Sequence, residues 1–189
     1  MIYFKRLFPF QYDLYRKHLL ELNSEDRLLR FCGITNDTHI ESHINHLNDA
    51  PHDIIGVFDK ERIIGCCFIG WYSSTVTELA LSVLPQYRNR GIGMRTLKRA
   101  MHFVSSKGAK TIYLVFMYNN TSIHRLAKKL GMTVMRNGQD VEAHRETPVY
   151  TNVNAMLELV EQNVSAWHYN HFNWLKYFNT LFKQSEPVR

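Results

Sequence analysis

Residues 75–94 read Thr75-Val76-Thr77-Glu78-Leu79-Ala80-Leu81-Ser82-Val83-Leu84-Pro85-Gln86-Tyr87-Arg88-Asn89-Arg90-Gly91-Ile92-Gly93-Met94. Val76, Leu79, Leu81 and Val83 mark a strand, and Pro85, which has no N–H to give to a ladder, takes the chain out of the sheet. The helical pattern of residues 91–106 places Leu97, Ala100, Met101 and Val104 on one face and stops at Lys107-Gly108, a glycine C-cap. Residues 111–117 are a second apolar, β-rich run, and residues 120–130 a second helix closed by Gly131. Strand, helix and strand in this order predict a right-handed crossover with the two strands parallel.

The turn between the first strand and its helix, Arg88-Asn89-Arg90-Gly91-Ile92-Gly93, carries the chemistry. Glycine lets backbone approach a ligand closely, and a helix start offers unpaired N–H groups with a partial positive charge, so the pair of features suits a pyrophosphate. Two other phosphate motifs are excluded: Gly93-Met94-Arg95 stands where a P-loop needs Gly-Lys-Ser/Thr, and Thr96 stands where a dinucleotide fingerprint needs its third glycine.

Outward from this unit, residues 53–59 and 62–72 read as strands joined through Lys60-Glu61, an antiparallel hairpin. A short strand is predicted at residues 2–6, followed by an amphipathic helix over residues 11–22 with Tyr12, Tyr15, Leu19 and Leu22 on one side. A second helical stretch starts at Ser24, and a third, capped by Asp37 or Thr38, runs to about residue 48 before Asp49-Ala50-Pro51. Residues 132–150 predict two strands turning at Asn137-Gly138. Met156, Val160, Val164, Trp167, His171, Trp174, Phe178 and Phe182 then line one side of a long helical tail. The expected organisation is α/β, with a domain over residues 1–150 and an aromatic helical extension over residues 151–189.

Forty-five per cent of the residues are hydrophobic and 21% charged, an ordinary globular composition. The net charge of +6 favours an anionic partner, and Arg88, Arg90, Arg95, Lys98 and Arg99 concentrate it at the glycine turn, which argues for a phosphorylated cofactor over a nucleic-acid track. Cys66 and Cys67 are sequence neighbours on a strand and point to opposite faces, so a bridge between them is not expected. With no apolar run of spanning length and no signal-peptide pattern at the start, no membrane association is expected, and the setting read from the sequence is cytoplasmic. His39, His43 and His46 share a face of the third helix, read here as a solvated polar face with no metal.

The pattern Arg88-x-x-Gly91-x-Gly93, the strand end Leu81-Ser82-Val83-Leu84-Pro85 before it, and Asn120 leading a helix that ends at Gly131 resemble the GNAT superfamily of acetyltransferases. The resemblance spans residues 1–136 in element order. It implies a mixed, mostly antiparallel sheet in which the strand before the turn carries a bulge and splays from its parallel neighbour. The gap would take the pantetheine arm of acetyl-CoA, a co-substrate, on the main chain of Leu81 and Val83. It implies further that the N–H groups of Arg88, Asn89, Arg90, Gly91, Ile92, Gly93 and Met94 hold the diphosphate, that Arg88 or Arg90 adds charge, and that Asn120 reaches the arm.

The implied reaction is direct transfer of an acetyl group to a primary amine, of a small molecule or a protein. Glu78 stands where many relatives place the general base, and a carboxylate in an apolar strand is costly unless solvated in a cleft or paired. The tyrosine with which relatives protonate the leaving thiolate is replaced by Ala127, leaving Tyr118, Ser122 or His124 as substitutes by assumption. That loss admits an alternative, a non-catalytic acyl-CoA-binding regulatory module. Three uses remain open for the tail: packing on its own domain, a lid, or a homodimer contact.

Overall fold

A computed structural model describes residues 2–147, as β1 (Ile2–Arg6), α1 (Tyr12–Leu20), α2 (Ser24–Phe31), α3 (Asp37–Asn45), β2 (His52–Asp59), β3 (Arg62–Trp71), β4 (Val76–Val83), α4 (Ile92–Ser106), β5 (Thr111–Met117), α5 (Thr121–Lys129), β6 (Thr133–Asn137) and β7 (Asp140–Glu146). The predicted aromatic tail and the division at residue 150 lie outside the described residues. The seven strands form one sheet in the order β1-β2-β3-β4-β5-β7-β6, antiparallel except between β4 and β5.

Each face of the sheet buries its own apolar cluster. On one face, α1 and α3 bring Tyr15, Leu19 and Ile40 against Ile54, Ile63 and Cys66, with Phe31 of α2 packed beside them. On the other, Leu97, Ala100, Met101 and Val104 of α4, the four residues predicted to share a stripe, meet Cys67, Leu79, Ile112, Leu114 and Phe116. Cys66 and Cys67 thus fall on opposite faces, as the period of two requires, and both are free thiols.

Local chemistry explains the element ends, with two caps placed one residue or more earlier than the sequence pattern suggests. Asn23 Oδ1 accepts the Asp26 N–H at 2.8 Å to start α2, and Asn36 Oδ1 accepts the His39 N–H at 2.9 Å to start α3, so the cap of α3 is Asn36 and not Asp37 or Thr38. The expected bulge in the strand before the glycine turn is not there. β4 runs in unbroken register against β3 from Thr77↔Trp71 to Val83↔Gly65, and the irregular register lies between Val57 and Phe58 on β2.

The solvated histidine face is also corrected, at His43. Ile40, His43, Ile44 and Leu47 follow the i, i+3, i+4, i+7 stripe that faces the sheet, so His43 turns inward while His39 and His46 stay exposed. Its Nε2 lies 3.2 Å from the Tyr15 hydroxyl, and its ring packs edge-on to Phe31 and Phe68. Burial, then the charges of Arg30 and His52, pull its pKa from 6.5 down to about 4. Between those values the unfolded chain binds more protons at this site than the folded one, so stability falls as pH drops from above 6.5 towards 4. Discounted for partial solvent access, the loss is expected to be about 1–2 kcal/mol. Urea midpoints between pH 7.5 and 4.5 should fall less steeply for His43→Gln, which can still hydrogen-bond but does not titrate; parallel curves would remove His43 as the cause.

Candidate active site

The parallel ladder between β4 and β5 consists of Val76↔Thr111, Thr77↔Ile112 and Glu78↔Tyr113, and stops there. β4 continues for five more residues paired only with β3, and β5 continues paired with β7 to Met117↔Asp140. The two strands therefore part at Glu78, and the splay implied by the family resemblance is present. The Leu84 N–H donates to Ile64 O at 2.9 Å, one rung past Val83↔Gly65, and in an antiparallel ladder this sets the even positions of β4 as those bonding β3. The peptide groups of Leu79, Leu81 and Val83 are consequently aimed into the gap. Leu81 and Val83 are the two positions expected to offer main chain there.

The start of α4 overlooks the same gap. Gly91, at φ +73°, is its N-cap without a side-chain cap, and the first intrahelical bond runs from Arg95 N–H to Gly91 O at 3.1 Å. The N–H groups of Ile92, Gly93 and Met94 thus have no helical acceptor, and no acidic side chain occupies the first turn. Asn89, at φ +59°, adds a second left-handed residue, and such alternation turns successive N–H groups inward as an anion cradle. Gly93 allows the close packing: a Cβ there would stand 3.2 Å from Leu81 Cδ2 and 3.4 Å from Leu126 Cδ1.

Arg88 departs from its expected role in two respects. Its N–H donates to Pro85 O at 3.1 Å, so the cradle begins after it, and its guanidinium donates through Nε to Val83 O at 3.0 Å while Nη2 pairs with Asp26 at 2.6 Å. It braces the turn against α2. Arg90, whose guanidinium carbon lies 5.5 Å from the Tyr87 ring centroid, has no ion pair among the described residues. Asn120 is the N-cap of α5, its Oδ1 accepting the Ile123 N–H at 3.2 Å.

Glu78 sits at the fork. Its side chain is half-buried on the face covered by α1, α2 and α3, and its carboxylate accepts a hydrogen bond from the Tyr72 hydroxyl. That bond, then burial, pushes the Tyr72 phenol up to about 12, so it stays a donor across any ordinary assay pH. Ala127 is fully buried against the sheet and offers no proton. Tyr118 is exposed just past β5, under the Arg136 guanidinium, while Ser122 and His124 lie on α5. Among the described residues no group of three or more metal-ligating side chains occurs, and no helix is long and apolar enough to cross a membrane. A recess of about 250 Å³ lined by Leu14, Lys17, His18, Glu21, Glu61, Arg62 and Ile63 lies at the β2–β3 hairpin, away from the fork.

Solved structures share this fold. The GNAT domain of S. lividans PAT superposes with a TM-score of 0.65 at 11% identity, covering 76% of this chain and 89% of that one. The Vibrio cholerae spermidine N-acetyltransferase, solved with CoA and spermine, gives 0.62 at 18% identity over 77% and 95% of the two chains. The fold is that of the GNAT acetyltransferases. The chain belongs to the acetyltransferase (GNAT) family, whose model matches residues 12–132. Among curated relatives, an uncharacterised N-acetyltransferase of Chlorobaculum tepidum is 32% identical over 85 residues, 44% of this chain and 52% of its own length. Mycothiol acetyltransferase of Corynebacterium glutamicum is 28% identical over 83 residues, 43% of this chain and 28% of its own. The chain thus matches about half the length of the first of these relatives and less of the second.

Proposed function

We propose that this chain moves an acetyl group from acetyl-CoA to a primary amine. The carrying observation is the fork at Glu78, which opens the backbone of Leu79–Val83 beside the uncapped start of α4. The pantetheine arm has amide groups to pair with Leu81 and Val83, and the diphosphate suits the N–H groups from Asn89 to Met94, with Arg90 adding charge. Asn120 borders the arm. The amine nitrogen attacks the thioester carbonyl, the C–S bond breaks, and the CoA thiolate leaves. The amine's proton passes to Glu78 directly or through water, and a proton returns to the thiolate. Without a tyrosine at position 127, that proton comes from water or from Tyr118, Ser122 or His124, and positioning carries more of the rate.

Acetyl-CoA at 100 times its Kd is expected to stabilise the fold by about 2.7 kcal/mol by mass action, read as a rise in Tm. Thiol release across a panel of amines, polyamines included because the V. cholerae neighbour was solved with spermine, should then show turnover. A thermal shift with no thiol release on any amine would favour a second reading, an acyl-CoA-binding regulatory module, for which the fully buried Ala127 is the specific motive. Neither shift nor release would sink both.

A further inference from the structure

We infer that Arg30, near the end of α2, is the specificity residue for the acceptor, and that it selects an amine with a carboxylate close by; the assignment rests on the acetyl-transfer reading above. A buried guanidinium is normally satisfied by a carboxylate, because five N–H donors removed from water must find acceptors. Arg30 has no such partner among the described residues. Its Nη2 donates to the Tyr15 hydroxyl at 3.1 Å, and its Nε is buried with no hydrogen-bond acceptor at all. The charge instead rests on aromatic faces, 4.8 Å from the Phe31 centroid and 5.9 Å from that of Phe68. Residues that could neutralise it are replaced by Tyr15, His43, Cys66 and Cys67, the groups that share its electrostatic surroundings.

Position turns this unpaired cation into a candidate subsite. α2 packs across both β4 and β5, where the two strands part, and the Sγ of Cys32, its C-cap, lies 3.9 Å from Val115 O of β5. The Cys32 thiol is pushed up chiefly by burial and then by the charges of Asp140 and Glu78, while Arg30 acts in the opposite direction. Phe68, which carries the guanidinium, is in register with Ala80, and the next row on that face pairs Gly70 with Glu78. Ala80 and Gly70 add no long side chain of their own to these two rows, and the Phe68 ring, with His52 stacked on it, forms the floor there, 3.4 Å from where a Cβ on Gly70 would stand. Successive rows on one face are about 7 Å apart. A carboxylate paired with Arg30 over the Phe68 row would direct an amine one or two carbons away towards Glu78 on the next row.

The test compares amines that differ only in the carboxylate: phenylalanine with phenethylamine and phenylalaninamide, and lysine with cadaverine. The parent protein is expected to show a kcat/KM ratio on the order of 100-fold or more in favour of the carboxylates, since a buried site built for an anion rejects the analogue lacking it. Arg30→Met should collapse the ratio towards one through KM, and Arg30→Lys, which keeps charge but loses the fork, should fall between. The acetyl-CoA thermal shift reports whether each variant is folded. Calorimetric binding of phenylalanine and lysine in the presence of CoA is measured in parallel, so the two readings fail separately. Carboxylate binding that depends on Arg30, without thiol release, would keep Arg30 as a carboxylate subsite but remove acetyl transfer, and with it Arg30's role in choosing an acetyl acceptor. Thiol release with a parent ratio near one, or a ratio that Arg30→Met leaves intact, would overturn the assignment and leave acetyl transfer standing. If neither variant folds, the parent ratio and the parent calorimetry decide alone.

Discussion

Gly93→Val is expected to abolish the thermal shift with acetyl-CoA while the protein remains folded. Two effects act together at this position. The new Cβ would meet Leu81 Cδ2 at 3.2 Å and Leu126 Cδ1 at 3.4 Å, so the branched side chain must push the start of α4 away from β4 and α5. Gly93 also supplies one of the three uncapped N–H groups of the first turn, and displacing it moves those donors out of reach of a diphosphate. Overpacking of this kind costs about 1–3 kcal/mol in stability, small enough for the fold to survive. Loss of the cradle should weaken binding at least 100-fold, by analogy with removing several charge-assisted hydrogen bonds at once. Gly91→Ala is the gentler companion: nothing lies within 4 Å of its Cβ, so only the left-handed φ of +73° is strained, and a partial loss of affinity is expected. Titration of CoA by calorimetry checks both, and parent-like binding by Gly93→Val would place the diphosphate elsewhere.

How far such a site can be read before any coordinates exist depends on whether its parts are local in sequence. The strand, proline, glycine turn and α4 are contiguous, so periodicity and the absence of a Pro N–H suffice to place them, and the parallel partner β5 follows from the crossover rule. The parting of β4 and β5 was readable only through family resemblance, because strand separation leaves no period of its own. The bulge that came with it proved foreign to this chain: β4 keeps its register to the end. Arg88 reads as a phosphate ligand because it opens the glycine turn; only the fold brings Asp26 of α2 within 2.6 Å and shows the guanidinium already committed.

The layer of α1, α2 and α3 was the least legible part. Arg30 reads in the sequence as one more basic residue of an amphipathic helix, and nothing local says that its guanidinium will lie on Phe68, 38 positions away. For His43 a signal did exist. The stripe of Ile40, Ile44 and Leu47 has His43 at its inner edge, while His39 and His46 fall outside it and stay exposed. The two asparagine caps were also within reach, since Asn23 and Asn36 each precede a helical run and asparagine leads the N-cap ranking.

Glu78→Gln is expected to lower kcat by about 100- to 1,000-fold while leaving the acetyl-CoA shift unchanged, the range usual for removing a positioned base. The carboxylate lies at the last rung of the parallel ladder, on the sheet face opposite α4, so it can meet an amine without touching the diphosphate cradle. Glutamine preserves size and can still accept from the Tyr72 hydroxyl, which limits the change to the loss of basicity and charge. Tyr72→Phe separates orientation from basicity. It removes the donor that holds the carboxylate, and because the phenol is pushed up to about 12 it donates no proton chemistry of its own near neutrality. A drop of roughly 3- to 10-fold in kcat with the acid limb of the pH profile retained is expected for Tyr72→Phe, the size of losing one orienting hydrogen bond. For Glu78→Gln the rate should recover as pH rises towards the pKa of the amine, since a neutral amine needs no base to begin its attack. Initial rates from pH 5.5 to 9.5 with one amine of known pKa distinguish the cases. Equal rates for parent and Glu78→Gln across that range would take Glu78 out of the reaction and leave solvent to deprotonate the acceptor.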